Sequence, residues 1–374
     1  MVFESVCRRL FKDAQNDEVE DRGGSRQIRR DITDRRFGSR SAETAGDGGC
    51  LTRMDVSIVI VNWNSRERLR SCLDSIFARP PSCDYEVVVI DSASFDGCEQ
   101  LIRDGYSRVQ FIQSLTNVGF AKANNRAARA SSGRCLLFLN PDTEVVGSAI
   151  DLLHGAVISI SVAGLVGPTL LNADGSVQST CIRAIPTMAN RLLDCEFSRR
   201  VWPRSYLWGM RPFYEQGSTV RDVEAISGAC MMVTRAVFER VGGFSEDYFM
   251  YAEDMDLAYK VREAGYHNYY VPAASVTHHG GGSSREASGV FAAVMMPEAT
   301  WRFFKKRRGH LYGLGYRAGM LVSAALRLVA LGLAWPLWAL VRRPGLPAPS
   351  LRKWFAILKW SIGCDHLARR YYLD

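Results

Sequence analysis

From Val56 the chain settles into a regular alternation of apolar runs and amphipathic segments. Val56–Val61 (VSIVIV) is an unbroken, largely β-branched run, the pattern of a strand covered on both faces. Ser65–Phe77 follows with Leu69, Cys72, Leu73 and Ile76 at helical spacing, and Glu86–Ile90 (EVVVI) is a second buried strand that stops at Asp91. Val109–Ile112 predicts a short third strand, Phe120–Ala130 a helix, and Arg134–Leu139 (RCLLFL) a fourth strand. Strands alternating with helices predict βαβ units and a parallel sheet. Right-handed crossovers bring the C-terminal ends of such strands to one edge, where ligands of open α/β sheets bind.

Beyond Val162 the pattern loosens. Ala163–Val166 predicts a strand, Asn172–Gly175 a turn, and Asp222–Val233 a strand interrupted at Ser227-Gly228. Arg235–Val241 predicts a short helix stopped by Gly242-Gly243, and Ala252–Ala264 a helix ended by Gly265. Tyr269–Val271 is a last strand leading to His278-His279 and three glycines.

The polar residues collect at the strand ends. Asn62 and Asn64 follow the first strand; Asp91, Ser92 and Ser94 follow the second; Asn117 and Gly119 follow the third; Asn140 and Asp142 follow the fourth. One polar strand end is a turn, whereas four on one edge point to a site. No G-x-G-x-x-G follows the first strand and no G-x-x-x-x-G-K-[ST] is present, which weakens the dinucleotide and P-loop readings. A carboxylate at the end of strand two accepts a base or ribose hydrogen bond without a glycine-rich loop.

Three groups carry candidate chemistry. Asp142 stands where a divalent-metal ligand would sit, although Asn140-Pro141-Asp142 is equally good turn chemistry. Glu253-Asp254-Met255-Asp256 opens a helix, where acids favour the macrodipole whatever else they do. A half-buried carboxylate beside a second acid is also raised toward the range of a general base, and Asp254 is the candidate, with Glu253 on the acceptor side. His278-His279, in a glycine-rich loop returning to the same edge, is a metal or phosphate candidate, His278 before His279.

Charge changes the picture at the ends of the chain. Trp301–Asp374 carries 14 Lys or Arg against two acids, a net +12 out of the chain's +8, so the remainder is at −4. Basicity therefore belongs to the tail. Its apolar stretch Gly319–Val341, interrupted by Arg327 and flanked by basic residues on both sides, suits an in-plane or re-entrant helix at an anionic lipid surface, with Trp335 and Trp338 at the interface. A helical hairpin packed on the body or on a second copy of the chain, a homo-oligomer, is the alternative. Base-stacking motifs are not interleaved with the charge, so no nucleic-acid partner is expected. Residues 1–53 are too poor in apolar periodicity to fold alone and predict a disordered or mis-started extension. Ten scattered cysteines without a C-x-x-C pair fit a reducing compartment.

In order along 56–284, the segments VSIVIVNWNS, VVVIDSASFDG, NVGFAKANNRA, LFLNPDTEV, SGACMMVTRAVFERVGGF, YFMYAEDMDLAYKVREAGY and THHGGGSS resemble the inverting family 2 glycosyltransferases, within them the rhamnosyltransferase-like group. The resemblance implies an α/β fold of GT-A (Rossmann-like) type over 54–300, binding a nucleotide-sugar; the helical membrane-associating tail expected at 301–374 rests on its charge and apolar stretch. It implies that Asn62, Asn64, Asp91, Ser92 and Ser94 hold the base and ribose, and that Asn117, Gly119 and Asn124 line the donor pocket. It further implies Asp142 and His278 as ligands of Mg²⁺ or Mn²⁺, Asp254 as base, and Gly228 and Glu253 beside the acceptor. Asn140 replaces the first acid of the usual D-x-D, leaving one carboxylate for the metal.

A single in-line displacement from dTDP-rhamnose onto a saccharide or polyprenyl-linked saccharide, at the cytoplasmic face of a bacterial inner membrane, is the activity this implies. A galactosyl- or N-acetylhexosaminyltransferase on the same scaffold, and a catalytically silent sugar-nucleotide-binding scaffold protein, are the rival readings; a silent binder has no need of a base such as Asp254.

Overall fold

In a computed structural model of the chain the β-branched runs form the centre of one sheet. The structure describes residues 54–194, 201–214, 219–280, 289–340 and 347–372, so the expectation for 1–53 lies outside the described residues. Four strands come first: β1 (Val56–Asn62), β2 (Tyr85–Ser92), β3 (Val109–Ser114) and β4 (Cys135–Leu139). They pair in parallel in the order β3-β2-β1-β4. Every residue of β1 and of β4 is buried. Truncating a central side chain such as Ile58 or Ile60 to alanine would leave a cavity costing about 2–5 kcal/mol.

The connecting helices α1 (Arg66–Ala78), α2 (Cys98–Gly105) and α3 (Gly119–Ala130) follow from their apolar spacing, with Leu69, Cys72, Leu73 and Ile76 of α1 all buried. α3 packs on β1 and β2. Its start is a close crossing: the Phe120 N–H donates to the Phe249 carbonyl at 2.9 Å. Gly119 sits there at φ +78°, and a Cβ on it would lie 2.4 Å from that same oxygen. Only glycine fits.

The second half corrects the expectation of an all-parallel sheet. After β5 (Thr143–Val146) and α4 (Ala149–Ser159), β6 (Ala163–Leu171) runs on to residue 171, and β7 (Ile182–Arg183) precedes a short helix α5 (Met188–Leu192). The interrupted strand expected at Asp222–Val233 divides into β8 (Arg221–Val223), β9 (Ala225–Ile226) and β10 (Cys230–Thr234). β10 lies antiparallel between β4 and β6, and β7 pairs with β9 in a small separate sheet. After α6 (Arg235–Arg240) and α7 (Glu253–Glu263), the last strand, β11 (His267–His278), is far longer than expected. It runs parallel to β6 and antiparallel to β5 and β8, with register shifts along β6. The result is a mixed α/β sheet.

The C-terminal helices are α8 (Gly289–Arg308), α9 (His310–Leu340), α10 (Pro347–Ser361) and α11 (Leu367–Tyr372). They build a second core from Phe303, Phe304, Tyr316, Ile357 and Trp360, into which Tyr248 of the α/β half also packs. Residues 301–308 continue α8, so the division expected between 300 and 301 falls inside one helix. Arg307 and Lys306 reach back to Asp256 and Asp247. His310–Leu333 of α9 is long and apolar enough to cross a membrane by length and composition, and little of it is buried. The side chains at 335 and 338 lie outside the described residues.

Candidate active site

The strand ends do meet. At the end of β2, Asp91 is wholly buried and accepts from Asn62 Nδ2 at 2.8 Å, Gln113 Nε2 at 2.7 Å and the Ser94 N–H at 3.0 Å, with the Ser94 hydroxyl closing on the same carboxylate. Burial alone would raise this carboxyl; hydrogen bonds from Ser94, Gln113, Asn62 and the Phe95 N–H outweigh it and hold the group below its ordinary value. Asn62 Oδ1 is buried with no hydrogen-bond partner among the described residues, an acceptor left for an N–H donor.

Asp96 was not foreseen. It accepts the Ser65 and Arg66 N–H groups at 3.0 and 2.9 Å and so tethers the start of α1. Asp91, Asp96 and Cys98 lie close enough together to suggest an ion site. These carboxylates are already committed to N–H donors, and burial pushes the Cys98 thiol up, away from the thiolate a metal needs. The cluster is a structural knot.

Ser92, Asn117 and Gly119 form a second bracket. The Ser92 hydroxyl donates to Asn117 Oδ1 at 3.1 Å, and that oxygen also accepts the Gly119 N–H at 3.0 Å. Asn64 is exposed at φ +49°, a turn conformation asparagine tolerates. Asn124 is buried on α3 and its amide donates to Phe120 O of its own helix at 3.0 Å.

Asp142 and His278 meet where β5 begins beside the end of β11. His278 Nε2 stands 3.4 Å from Asp142 Oδ1, and the His279 N–H donates to the Asp142 carbonyl at 3.0 Å. Gln178, which nothing in the sequence singled out, holds the imidazole from behind. Its Nε2 donates to the His278 carbonyl at 2.5 Å, leaving Oε1 to receive Nδ1–H at 2.9 Å. In the neutral ring this places the lone pair on Nε2, toward Asp142. Asn140 Oδ1 is buried without a partner among the described residues. A carboxylate and an imidazole 3.4 Å apart are the kind of donors a divalent cation takes. His279 instead pairs with Glu144 at 2.8 Å. Gln178→Leu removes the clamp and should weaken Mn²⁺ binding about 10–100-fold, read by titrating the ion in the presence of nucleoside diphosphate.

A short bridge joins this pair to the second acidic station. The Asn140 N–H donates to Ala229 O at 2.9 Å, and the neighbouring Gly228 N–H donates to Asp254 Oδ2 at 3.1 Å. The Met255 N–H holds Asp254 Oδ1 at 2.8 Å. Gly228, expected beside the acceptor, thus positions the carboxylate, and a Cβ there would come 3.2 Å from the Asp254 Cβ. Tyr251 and Ala252 enter α7 at φ +70° and +64°, strain of about 1–3 kcal/mol per residue concentrated at this turn.

The carboxyl that is raised is Glu253: burial, then the charge of Asp254, push it to about 8. Its Oε2 is buried without a partner among the described residues. Between about pH 4.5 and 8 the folded chain then holds a proton that the unfolded chain has released, so stability falls as pH rises through this window. Glu253→Gln should remove that dependence and gain on the wild type by a few kcal/mol from pH 5 to 8, measured by urea unfolding.

The chain is similar to known proteins in sequence and in fold. The profile of "Glycosyl transferase family 2" matches residues 57–242, and that of "Glycosyl transferase family group 2" matches 194–364. An N-acetylglucosaminyl-diphospho-decaprenol L-rhamnosyltransferase of Mycobacterium tuberculosis is 31% identical over 275 residues, 70% of this chain and 86% of that protein. Rhamnosyltransferase WbbL of Escherichia coli is 26% identical, over 60% of this chain and 83% of that one. In fold, the chain is similar to the mannosyltransferase PcManGT of Pyrobaculum calidifontis, solved with GDP-Man and Mn²⁺. That likeness has a TM-score of 0.50 at 18% identity and covers 84% of this chain and 89% of the other. The chain belongs to the family 2 glycosyltransferases, in their rhamnosyltransferase-like group. It is a glycosyltransferase built on a GT-A fold.

Proposed function

We propose that the enzyme moves rhamnose from dTDP-rhamnose onto a polyprenyl-diphosphate-linked saccharide at the cytoplasmic face of a membrane, with inversion at the anomeric carbon. The mycobacterial relative, similar over most of its length, is named for that kind of donor sugar and acceptor. The observation that carries the mechanism is the bridge from Asn140 through Ala229 and Gly228 to Asp254, which sets a backbone-held carboxylate beside the Asp142–His278 pair.

Asp91 positions Asn62, whose free Oδ1 takes an N–H of the base, with Ser92, Ser94 and Asn64 on the same rim and Asn117, Gly119 and Asn124 behind the sugar. Asp142 and His278 hold a divalent ion, Mg²⁺ or Mn²⁺, whose chemistry is to neutralise the diphosphate as it leaves. Asp254 takes the proton from the acceptor hydroxyl as that oxygen attacks the anomeric carbon. Glu253, protonated at neutral pH, donates to the acceptor sugar. The apolar face of α9 lies in the lipid surface, with exposed basic residues of the tail such as Arg352 and Arg370 at the headgroups.

The test is a donor panel. Purified full-length enzyme is titrated with dTDP-, UDP- and GDP-sugars in the presence of Mn²⁺, and nucleotide release is followed with acceptor lipid added. Selective binding and turnover of dTDP-rhamnose is the expected result. Equal use of UDP-N-acetylhexosamines or UDP-galactose would transfer the assignment to those sugars, and binding without turnover on any acceptor would favour the silent scaffold.

A further inference from the structure

A cavity of about 260 Å³ lies between α5, α8, α9 and α10. Its described lining holds three cations, Arg191, Arg327 and Lys353, against one acid, Asp194; the rest includes Met320, Trp354 and Ile357. Arg327 and Lys353 share the face of Trp354, at 4.4 and 5.5 Å from the ring centroid. Arg191 makes no side-chain hydrogen bond or ion pair among the described residues, and its Nε is buried. Burial and then the nearby Arg183 charge disfavour the Arg191 cation, while Tyr316, Asp194 and Asp254 act the other way. Arg191 is half-buried in a lining whose three cations face one acid, and an anionic ligand would offset that excess of positive charge. Arg191 also lies within the field of Asp254.

The geometry of α9 points to the ligand's second property. Tyr316, Met320, Ser323 and Arg327 face the cavity, one above another at i, i+4, i+7 and i+11. Leu311, Val322, Leu326, Val329 and Leu333 are exposed on another face, about 130° round the helix at 100° per residue. With that exposed face in the lipid surface, as proposed above, an anion drawn from the membrane would bring an apolar chain with it.

We propose that this cavity binds the diphosphate of the polyprenyl-linked acceptor, Arg191 and Arg327 taking the phosphates and Trp354 and Met320 the first isoprene units, so that the sugar is presented upward to Asp254. This rests on the acceptor class proposed above. Farnesyl diphosphate is the probe, titrated by fluorescence into full-length protein in EDTA, so that the donor-side ion does not contribute. The wild type should bind it, Arg191→Gln and Arg327→Gln should each weaken it about tenfold or more, and Arg191→Lys should recover part of the loss. A second measurement compares kcat/KM for the same acceptor sugar on a polyprenyl diphosphate and on an octyl glycoside. The preference for the diphosphate should collapse in Arg191→Gln/Arg327→Gln.

Three results would overturn the site: farnesyl diphosphate binding that none of the substitutions changes, a preference that survives in the double variant, or an equal loss of binding to phosphatidylglycerol vesicles, which would make it a general headgroup contact. Farnesyl diphosphate binding that depends on Arg191, in an enzyme that transfers to no lipid-linked acceptor, would support the site and overturn the assigned reaction.

Discussion

Asp254→Asn should lower kcat for transfer by on the order of 10²–10⁴-fold while donor affinity changes little. The amide is nearly isosteric, and its oxygen can still accept the Gly228 N–H, so the turn into α7 survives the change. What is lost is the lone pair that takes the acceptor proton. Asp254→Glu is the sharper control, because it keeps the charge and moves it. With both oxygens pinned by the Gly228 and Met255 N–H groups, the longer side chain cannot hold the same place, and a displacement of about 1 Å costs on the order of 10² in rate. Steady-state kinetics with donor and acceptor varied separately read both results. A loss in donor affinity equal to the loss in kcat would argue that Asp254 binds the donor instead.

The second large effect is on stability. Asp256 is fully buried and receives Arg307 Nε at 2.6 Å and Nη2 at 3.0 Å, with the Ser245 hydroxyl at 2.5 Å and Tyr248 OH at 3.3 Å. Burial would raise this carboxyl, but the hydrogen bonds from Arg307 and Ser245 hold it below its ordinary value. Arg307→Met strands the carboxylate and should cost about 3–5 kcal/mol, whereas Arg307→Met with Asp256→Leu should recover much of that loss. A depressed carboxyl contributes stability that is present above its unfolded value and disappears as pH falls through the folded one. The difference between wild type and Arg307→Met, followed by thermal unfolding, should therefore shrink in acid. Because Arg307 lies in α8 and Asp256 in α7, the same pair fastens the C-terminal helices to the catalytic half.

The first half of the fold was legible because VSIVIV, VVVI and CLLFL are buried on both faces and their polar ends mark the edge. Strand direction was not legible. A buried strand carries the same pattern whichever way it runs, so nothing in CMMVT distinguishes the antiparallel β10 from a parallel strand. The middle was obscured by Gly164, Gly167 and Pro168 within β6, residues that weaken a strand pattern while fitting against Val261 and Ile226.

At the site, Asp91, Asp142, Asp254 and His278 stood out as chemistry-bearing residues at strand ends or a helix start. Gln178, Arg183 and Arg191 lie in the loose stretch after β6, where isolated polar residues look like loop, and only the tertiary fold gives them neighbours. Asp96 was visible in DSASFDG, and its use as a tether for α1 was not. Arg307 was hidden by its company: in Lys305-Lys306-Arg307-Arg308 one buried arginine looks the same as three exposed cations.

The most direct test of the account is the anomeric configuration of the product. Full-length enzyme is incubated with ¹³C-labelled dTDP-rhamnose, Mn²⁺ and a short polyprenyl-diphosphate saccharide, and the rhamnoside is read by NMR. One displacement, with Asp254 deprotonating the acceptor hydroxyl, predicts rhamnose on that acceptor in the configuration opposite to the donor's, formed by wild type and nearly abolished in Asp254→Asn. Retained configuration, or undiminished product from Asp254→Asn, would contradict it.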